Sequence, residues 1–136
     1  MEIKKQVTPD YWIVENNRTY AGEHLLIDIF GANNLDCTKK MEKVFHEAVK
    51  AANATMLHIH MHHFGSGSGV SGVAVLSESH ISVHTWPERG YAAFDVFMCG
   101  QANPSLALTV IKLAFPSTEV NVSTHFRGEK TNEQVL

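Results

Sequence analysis

The stretch Leu76-Ser77-Glu78-Ser79-His80-Ile81-Ser82-Val83-His84-Thr85-Trp86-Pro87-Glu88 decides the fold. Val73 and Val75 before it, and Ile81 and Val83 within it, recur at every second position. That is the period of a β-strand with one buried face. Two strands, Val70–Leu76 and His80–Trp86, therefore flank a break at Ser77–Ser79. Serines, two carboxylates and two histidines crowd this run, and a buried strand has no structural need for them. They are nucleophile and general-base types, expected within hydrogen-bonding range of one another.

Downstream, Tyr91–Cys99 is a further strand, joined to its predecessor across Pro87–Gly90. Upstream, Thr55–Phe64 has strand periodicity and ends in Gly65-Ser66-Gly67-Ser68-Gly69, a turn whose glycines permit positive φ and close backbone approach. His24–Phe30 is the core of a strand that opens at Gly22, and Asn33-Asn34 marks the turn after it. From Asp36 to Ala52, the apolar residues Met41, Val44, Phe45, Ala48, Val49 and Ala52 follow the spacing of an amphipathic helix. Asn103-Pro104 pairs a capping side chain with a proline at the first helical position. The helix it opens runs to Phe115 and stops at Pro116, before a last strand over Glu119–Phe126.

The order βαββββαβ predicts an α+β chain, a two-layer α/β sandwich with an antiparallel sheet and two helices on one face. Residues 1–20 are mixed and polar, with Tyr11, Trp12 and Ile13 as candidate anchors, and read as an N-terminal arm without an assigned structure. Residues 21–128 read as one domain and 129–136 as a flexible polar tail.

The 136 residues suit one domain, and 44% hydrophobic residues suffice for a core. Charged residues are only 18%, a composition that suits a protein hiding part of its surface in an oligomer. The net charge of −3 and the lack of a basic cluster exclude a nucleic-acid footprint. No apolar run approaches a membrane span, and Met1-Glu2-Ile3-Lys4-Lys5 lacks the apolar core of a signal peptide. Cys37 and Cys99 are accordingly expected as reduced thiols in the cytoplasm.

Five blocks between Gly69 and Gly100 resemble the small prokaryotic S-adenosylmethionine decarboxylase proenzymes. They are Gly69-Val70-Ser71-Gly72, Ser77-Glu78-Ser79-His80, His84-Thr85-Trp86-Pro87-Glu88, Tyr91-Ala92-Ala93-Phe94-Asp95 and Cys99-Gly100. They stand in order and nearly ungapped, and weaker similarity reaches Gly22–Leu26 and Arg127-Gly128. The resemblance implies a self-made cofactor. Ser79 would attack the Glu78 carbonyl, the resulting ester would be eliminated, and Ser79 would become a pyruvoyl group. Residues 1–78 and 79–136 would be the mature chains. A pyruvoyl group forms a Schiff base with the substrate amine and takes up the electron pair left at Cα when CO₂ departs, the role of pyridoxal phosphate elsewhere. No lysine here stands in a plausible pyridoxal setting.

By the same resemblance, His84 is the base of the elimination, Ser71 assists processing and Cys99 returns a proton to Cα. Glu88 binds the ribose hydroxyls of S-adenosylmethionine and Phe64 stacks on adenine. The loop from Phe64 to Ser71 is richer in Gly and Ser than the family pattern and one residue longer. The resemblance further implies a homodimer in an αββα arrangement, sheets face to face, supplying the aminopropyl donor for spermidine synthesis. Each residue also has a plain structural reading: a β-bulge serine, a satisfied strand histidine, a turn serine, a small buried thiol, a solvated glutamate and a core phenylalanine. Cys37 has no counterpart in the blocks and receives no role.

Two other readings compete. One keeps pyruvoyl chemistry but takes another amino acid, such as ornithine or arginine; Phe64 and Glu88 oppose it, since a small diamino acid needs neither. The other is a non-catalytic metal-binding module. His58, His60 and His62 alternate on one face of a strand with Cα atoms about 6.6 Å apart at successive pairs. Two of them with His80, His84 or a carboxylate can hold a transition metal, whereas all three in line reach too far, about 13 Å. The plainer reading puts these histidines on a pocket wall or subunit interface, with no metal.

Overall fold

A computed structural model describes residues 5–130. The main sheet contains β4 (Gly22–Phe30), β5 (Met56–His63), β6 (Val70–Leu76), β7 (Ser79–Trp86), β8 (Tyr91–Cys99) and β9 (Glu119–Arg127). Its order is β5-β6-β7-β8-β4-β9, and every neighbouring pair is antiparallel. Alternation along the strands sends one set of side chains to a common core. That set includes Leu25, Ile27 and Ile29 of β4, Ile81 and Val83 of β7, and Ala92, Phe94, Val96 and Met98 of β8.

Two helices cover this face: α1 (Thr38–Ala51) and α2 (Pro104–Ala114). Met41, Val44, Phe45, Ala48 and Val49 of α1 join Ala107 and Ile111 of α2 in the same core. Burying each large apolar side chain contributes about 1.5–3 kcal/mol, which outweighs the marginal stability of such short helices alone. Asn103 caps α2 by accepting from the Ser105 amide at 3.0 Å, as its sequence predicts. Cys37 caps α1, its sulfur accepting from the Lys40 amide at 3.4 Å. The antiparallel sheet with two helices on one face is the predicted two-layer sandwich.

The arm is more ordered than its sequence predicts. β1 (Gln6–Val7), β2 (Ile13–Glu15) and β3 (Arg18–Tyr20) form a separate antiparallel sheet. Ile13 and Tyr20 are buried, and the Tyr11 carbonyl accepts from the Gly100 amide at 3.0 Å. Of the expected tail, Glu129 is held by Arg18 through two contacts of 2.8 Å. Residues 131–136, and residues 1–4 of the arm, lie outside the described residues. Among the described residues, no helix is long and apolar enough to cross a membrane.

Among the described residues, neither helix packs on the other face of the sheet. Its rows alternate apolar and polar groups: Leu26, Phe30, Val73, Val75 and Trp86 are all more than a third exposed. His24, His80, His84 and Asp95 point the same way, one residue out of phase with the core positions.

Candidate active site

β6 and β7 meet in a hairpin whose last pair is Leu76 and Ser79, leaving Ser77-Glu78 as the loop. Three hydrogen bonds pin this loop. Thr55 accepts from the Ser77 amide at 3.0 Å, and its own amide donates to Glu78 Oε1 at 2.9 Å. The Cys99 amide donates to the Glu78 carbonyl at 2.9 Å. Ser79 has φ of 126°, a region that L-residues rarely adopt. Such a conformation costs on the order of 1–3 kcal/mol and persists only where the surroundings impose it. A polarised carbonyl thus precedes a strained serine at the peptide bond between Glu78 and Ser79. Cys99 is half-buried beside it with a free thiol.

A second group lies at the far end of the same hairpin. Phe64, Ser68, Gly69, Ser71, His84, Thr85, Trp86 and Glu88 line a cleft of about 510 Å³. Ser71 Oγ and His84 Nδ1 are 2.8 Å apart, facing each other across the β6–β7 register. Thr85, buried beneath them, accepts from the Val70 amide and donates to the Leu35 carbonyl, both at 2.8 Å. Gly69 allows this closure: a Cβ there would lie 2.1 Å from the Thr85 carbonyl oxygen. Phe64 is exposed at the rim, its ring 4.6 Å from that of His62. Glu88 sits on the 3₁₀ turn Pro87–Arg89, which Gly90 closes at φ 61°.

One sequence expectation needs correction. Ser79 and His84 are not within hydrogen-bonding range in one chain. His84 follows Ser79 along β7 by five positions, about 16 Å at the rise of a strand. A single chain therefore brings Ser71, His84, Glu88 and Phe64 together at one end. It brings Ser79 and Cys99 together at the other.

The central rows hold a cluster that the sequence reading missed. His24 Nε2 and His80 Nε2 stand 2.6 and 2.8 Å from Asp95 Oδ2, and Ser82 Oγ donates to Asp95 Oδ1. Arg127 lies 3.0 Å from His24 Nδ1. Burial pushes the Asp95 carboxyl up, but the bonds from Ser82, His24 and His80 outweigh it and hold the group below its ordinary range. The available signal was the β-register, which places residues 24, 80, 82 and 95 side by side on one face. Among the described residues this trio of His24, His80 and Asp95 is the candidate metal-ligand group, and His58, His60 and His62 are not part of it.

Residues 23–128 match the family model described as S-adenosylmethionine decarboxylase. The chain is 42% identical over 108 residues to the S-adenosylmethionine decarboxylase proenzyme of Thermomicrobium roseum, covering 79% of this chain and 93% of the relative. It is 43% identical over 118 residues to the proenzyme of the same description from Methanococcus vannielii, covering 85% and 96%. The crystal structure of the adenosylmethionine decarboxylase from Aquifex aeolicus superposes with a TM-score of 0.74 at 34% identity, covering 83% of this chain and 95% of that one.

Proposed function

The chain belongs to the S-adenosylmethionine decarboxylase family, and on that premise we propose that it is a self-cleaving decarboxylase of S-adenosylmethionine. The observation that carries this is the strained Ser79 directly after a carbonyl held by the Cys99 amide. Ser79 Oγ attacks the Glu78 carbonyl carbon, the amide bond opens to an ester, and the backbone strain at Ser79 is released. The Cys99 N–H stands where negative charge grows on the carbonyl oxygen. Removal of the Ser79 Cα proton then expels the Glu78 carboxylate, and hydrolysis of the dehydroalanine left behind releases ammonia. The product is a chain of residues 1–78 and a chain of residues 79–136 that begins with a pyruvoyl group.

The residues around Ser79 suit that group. The β6–β7 loop is anchored on both sides, and Cys99, whose amide holds the Glu78 carbonyl, carries a free thiol. When formed, the pyruvoyl group supplies the electron sink that decarboxylation at an α-amino carbon requires. Cys99 returns the proton to Cα after CO₂ leaves. Glu88 takes the ribose hydroxyls and Phe64 covers the adenine. Both cysteines are free thiols, which suits a reducing cytoplasm.

His84, Ser71, Glu88 and Phe64 act from a second copy. The uncovered sheet face, with Leu26, Phe30, Val73, Val75 and Trp86 exposed, is the surface a second copy covers. A two-fold axis between the sheets and across the strands reverses the second sheet. The Ser79–Cys99 end of one protomer then meets the Ser71–His84 end of its partner, in the αββα order. The decarboxylated product is an aminopropyl donor for polyamine synthesis.

The test is reductive trapping. The purified protein is incubated with S-adenosylmethionine and cyanoborohydride, and separately with ornithine and with arginine. The fragment 79–136 gains the mass of a decarboxylated S-adenosylmethionine adduct with the first and nothing with the other two. An adduct with ornithine or arginine alone moves the substrate to a small diamino acid. No adduct with any of them removes the decarboxylase reading.

A further inference from the structure

Cleavage between Glu78 and Ser79 turns the middle of a hairpin into two chain ends, and chain ends fray. The cofactor sits on the first residue of one of them. Residues on both sides of the cut are tied down by their side chains. Glu78 accepts the Thr55 amide through Oε1 at 2.9 Å, and His80 reaches Asp95 through Nε2 at 2.8 Å. His80 is the first side chain after the pyruvoyl position.

The His24–Asp95–His80 group is built to hold a ring in place rather than to bind a cation. Arg127 carries only N–H donors, so its contact with His24 Nδ1 makes that nitrogen the acceptor. The ring proton of neutral His24 is then on Nε2, aimed at Asp95. A metal would need the Nε2 lone pair, which this tautomer lacks. Three donors thus converge on one carboxylate: the hydroxyl of Ser82 and the N–H groups of His24 and His80. Bonds to an ionised acceptor are roughly twice as strong as neutral ones. Asp95 is half-buried in the centre of β8, an interior strand paired on both edges, with β7 and with β4.

We propose that Asp95 is a positioning residue for the cofactor: through His80, it holds the newly cut end that begins at residue 79. The inference rests on the self-cleavage reading above. Before the cut, the loop through Ser77-Glu78 also restrains His80. After the cut, the His80 side chain and its two β-ladders do so alone. Losing the anchor therefore matters in the mature enzyme and hardly at all in the precursor.

The experiment compares Asp95→Asn in two backgrounds, processed wild type and uncleavable Ser79→Ala, by hydrogen exchange at the amides of residues 80–82. Exchange rises about tenfold in the processed protein and changes little in the uncut chain. In the same processed variant, more of the 79–136 fragment ends in alanine per turnover. There the substrate nitrogen stays on the fragment and the substrate leaves as an aldehyde, the outcome of protonating a loosely held group at the wrong atom. Asp95→Glu, which keeps the carboxylate, recovers part of both. His80→Gln breaks the same contact from the other side and gives the same two readouts should Asp95→Asn fail to mature. Equal exchange in cut and uncut protein, or an unchanged alanine fraction in both variants, overturns the proposal. A wild-type protein that never cleaves overturns the self-cleavage reading instead, so the two failures are distinguishable.

Discussion

The amide of Cys99 donates to the carbonyl of Glu78 at 2.9 Å, so this residue touches the bond proposed to break through its backbone, while the proposed function gives its side chain a separate role in turnover. The two roles separate by mutation. Cys99→Ala keeps the amide and should still mature, though slowly. Its lesion should appear after CO₂ loss, as alanine-ended 79–136 fragment accumulating with turnover. A positioned acid is worth on the order of 10²–10⁴-fold over water, so the fraction should rise by a large factor. Cys37→Ala, which removes only a helix-capping sulfur, should turn over like wild type. Near-native behaviour of both variants would leave Cys99 a packed strand residue.

The separation of Ser79 from His84 along β7 predicts complementation between chains. His84→Ala alone should stall at the ester, and hydroxylamine should cut it there. Co-expressed with Ser79→Ala, the His84→Ala chain should mature, because its Ser79 meets the His84 of its partner. Mixed dimers then carry one working site of two, about half the wild-type activity per dimer. No cleavage in the mixture would mean that the base acts within one chain.

Thr85 supports the cleft from below, and its hydroxyl satisfies two buried backbone groups. Thr85→Val leaves the Val70 amide and the Leu35 carbonyl without partners. Each unsatisfied group costs about 1–3 kcal/mol, which a urea titration measures. KM should rise as well, since Thr85 separates His84 from Trp86 on the cleft wall. An unchanged urea midpoint would show that neither bond contributes.

Asp95 predicts an acid-side dependence. Burial opposes its ionisation, but the bonds from Ser82, His24 and His80 prevail and lower its folded pKa. A lowered carboxyl contributes stability above its unfolded pKa, about 3.9, and that contribution fades as pH falls through the folded value. The stability gap between wild type and Asp95→Asn should be full near neutral pH and shrink below about pH 4. A gap constant from pH 7 to pH 3 would contradict the assignment.

The sheet was legible because Ile81, Val83, Phe94 and Val96 alternate cleanly, and both helices because Asn103-Pro104 and the Met41–Ala52 stripe are strong local signals. Strand ends fell within a residue of expectation, as with Ser79, which already belongs to β7. The arm was illegible for a physical reason: strands of two or three residues are too short to show a period. Ser71, His84 and Glu88 stand in the matching blocks and the structure places them on one cleft, but their separation from Ser79 was not legible. Five positions read as proximity along a sequence and as distance along an extended strand. The Asp95 cluster was hidden because it exists only in the register of β4, β7 and β8.

The central claim is that the chain cuts itself between Glu78 and Ser79, and a denaturing mass spectrum of freshly purified protein tests it most directly. The account predicts two polypeptides, one ending at Glu78 with a free carboxylate. The other begins at residue 79 and carries a keto group in place of the serine amine, so it resists Edman degradation. Ser79→Ala, prepared in parallel, should give one uncut chain. A single intact chain of 136 residues from the wild type, or cleavage that survives Ser79→Ala, would contradict it.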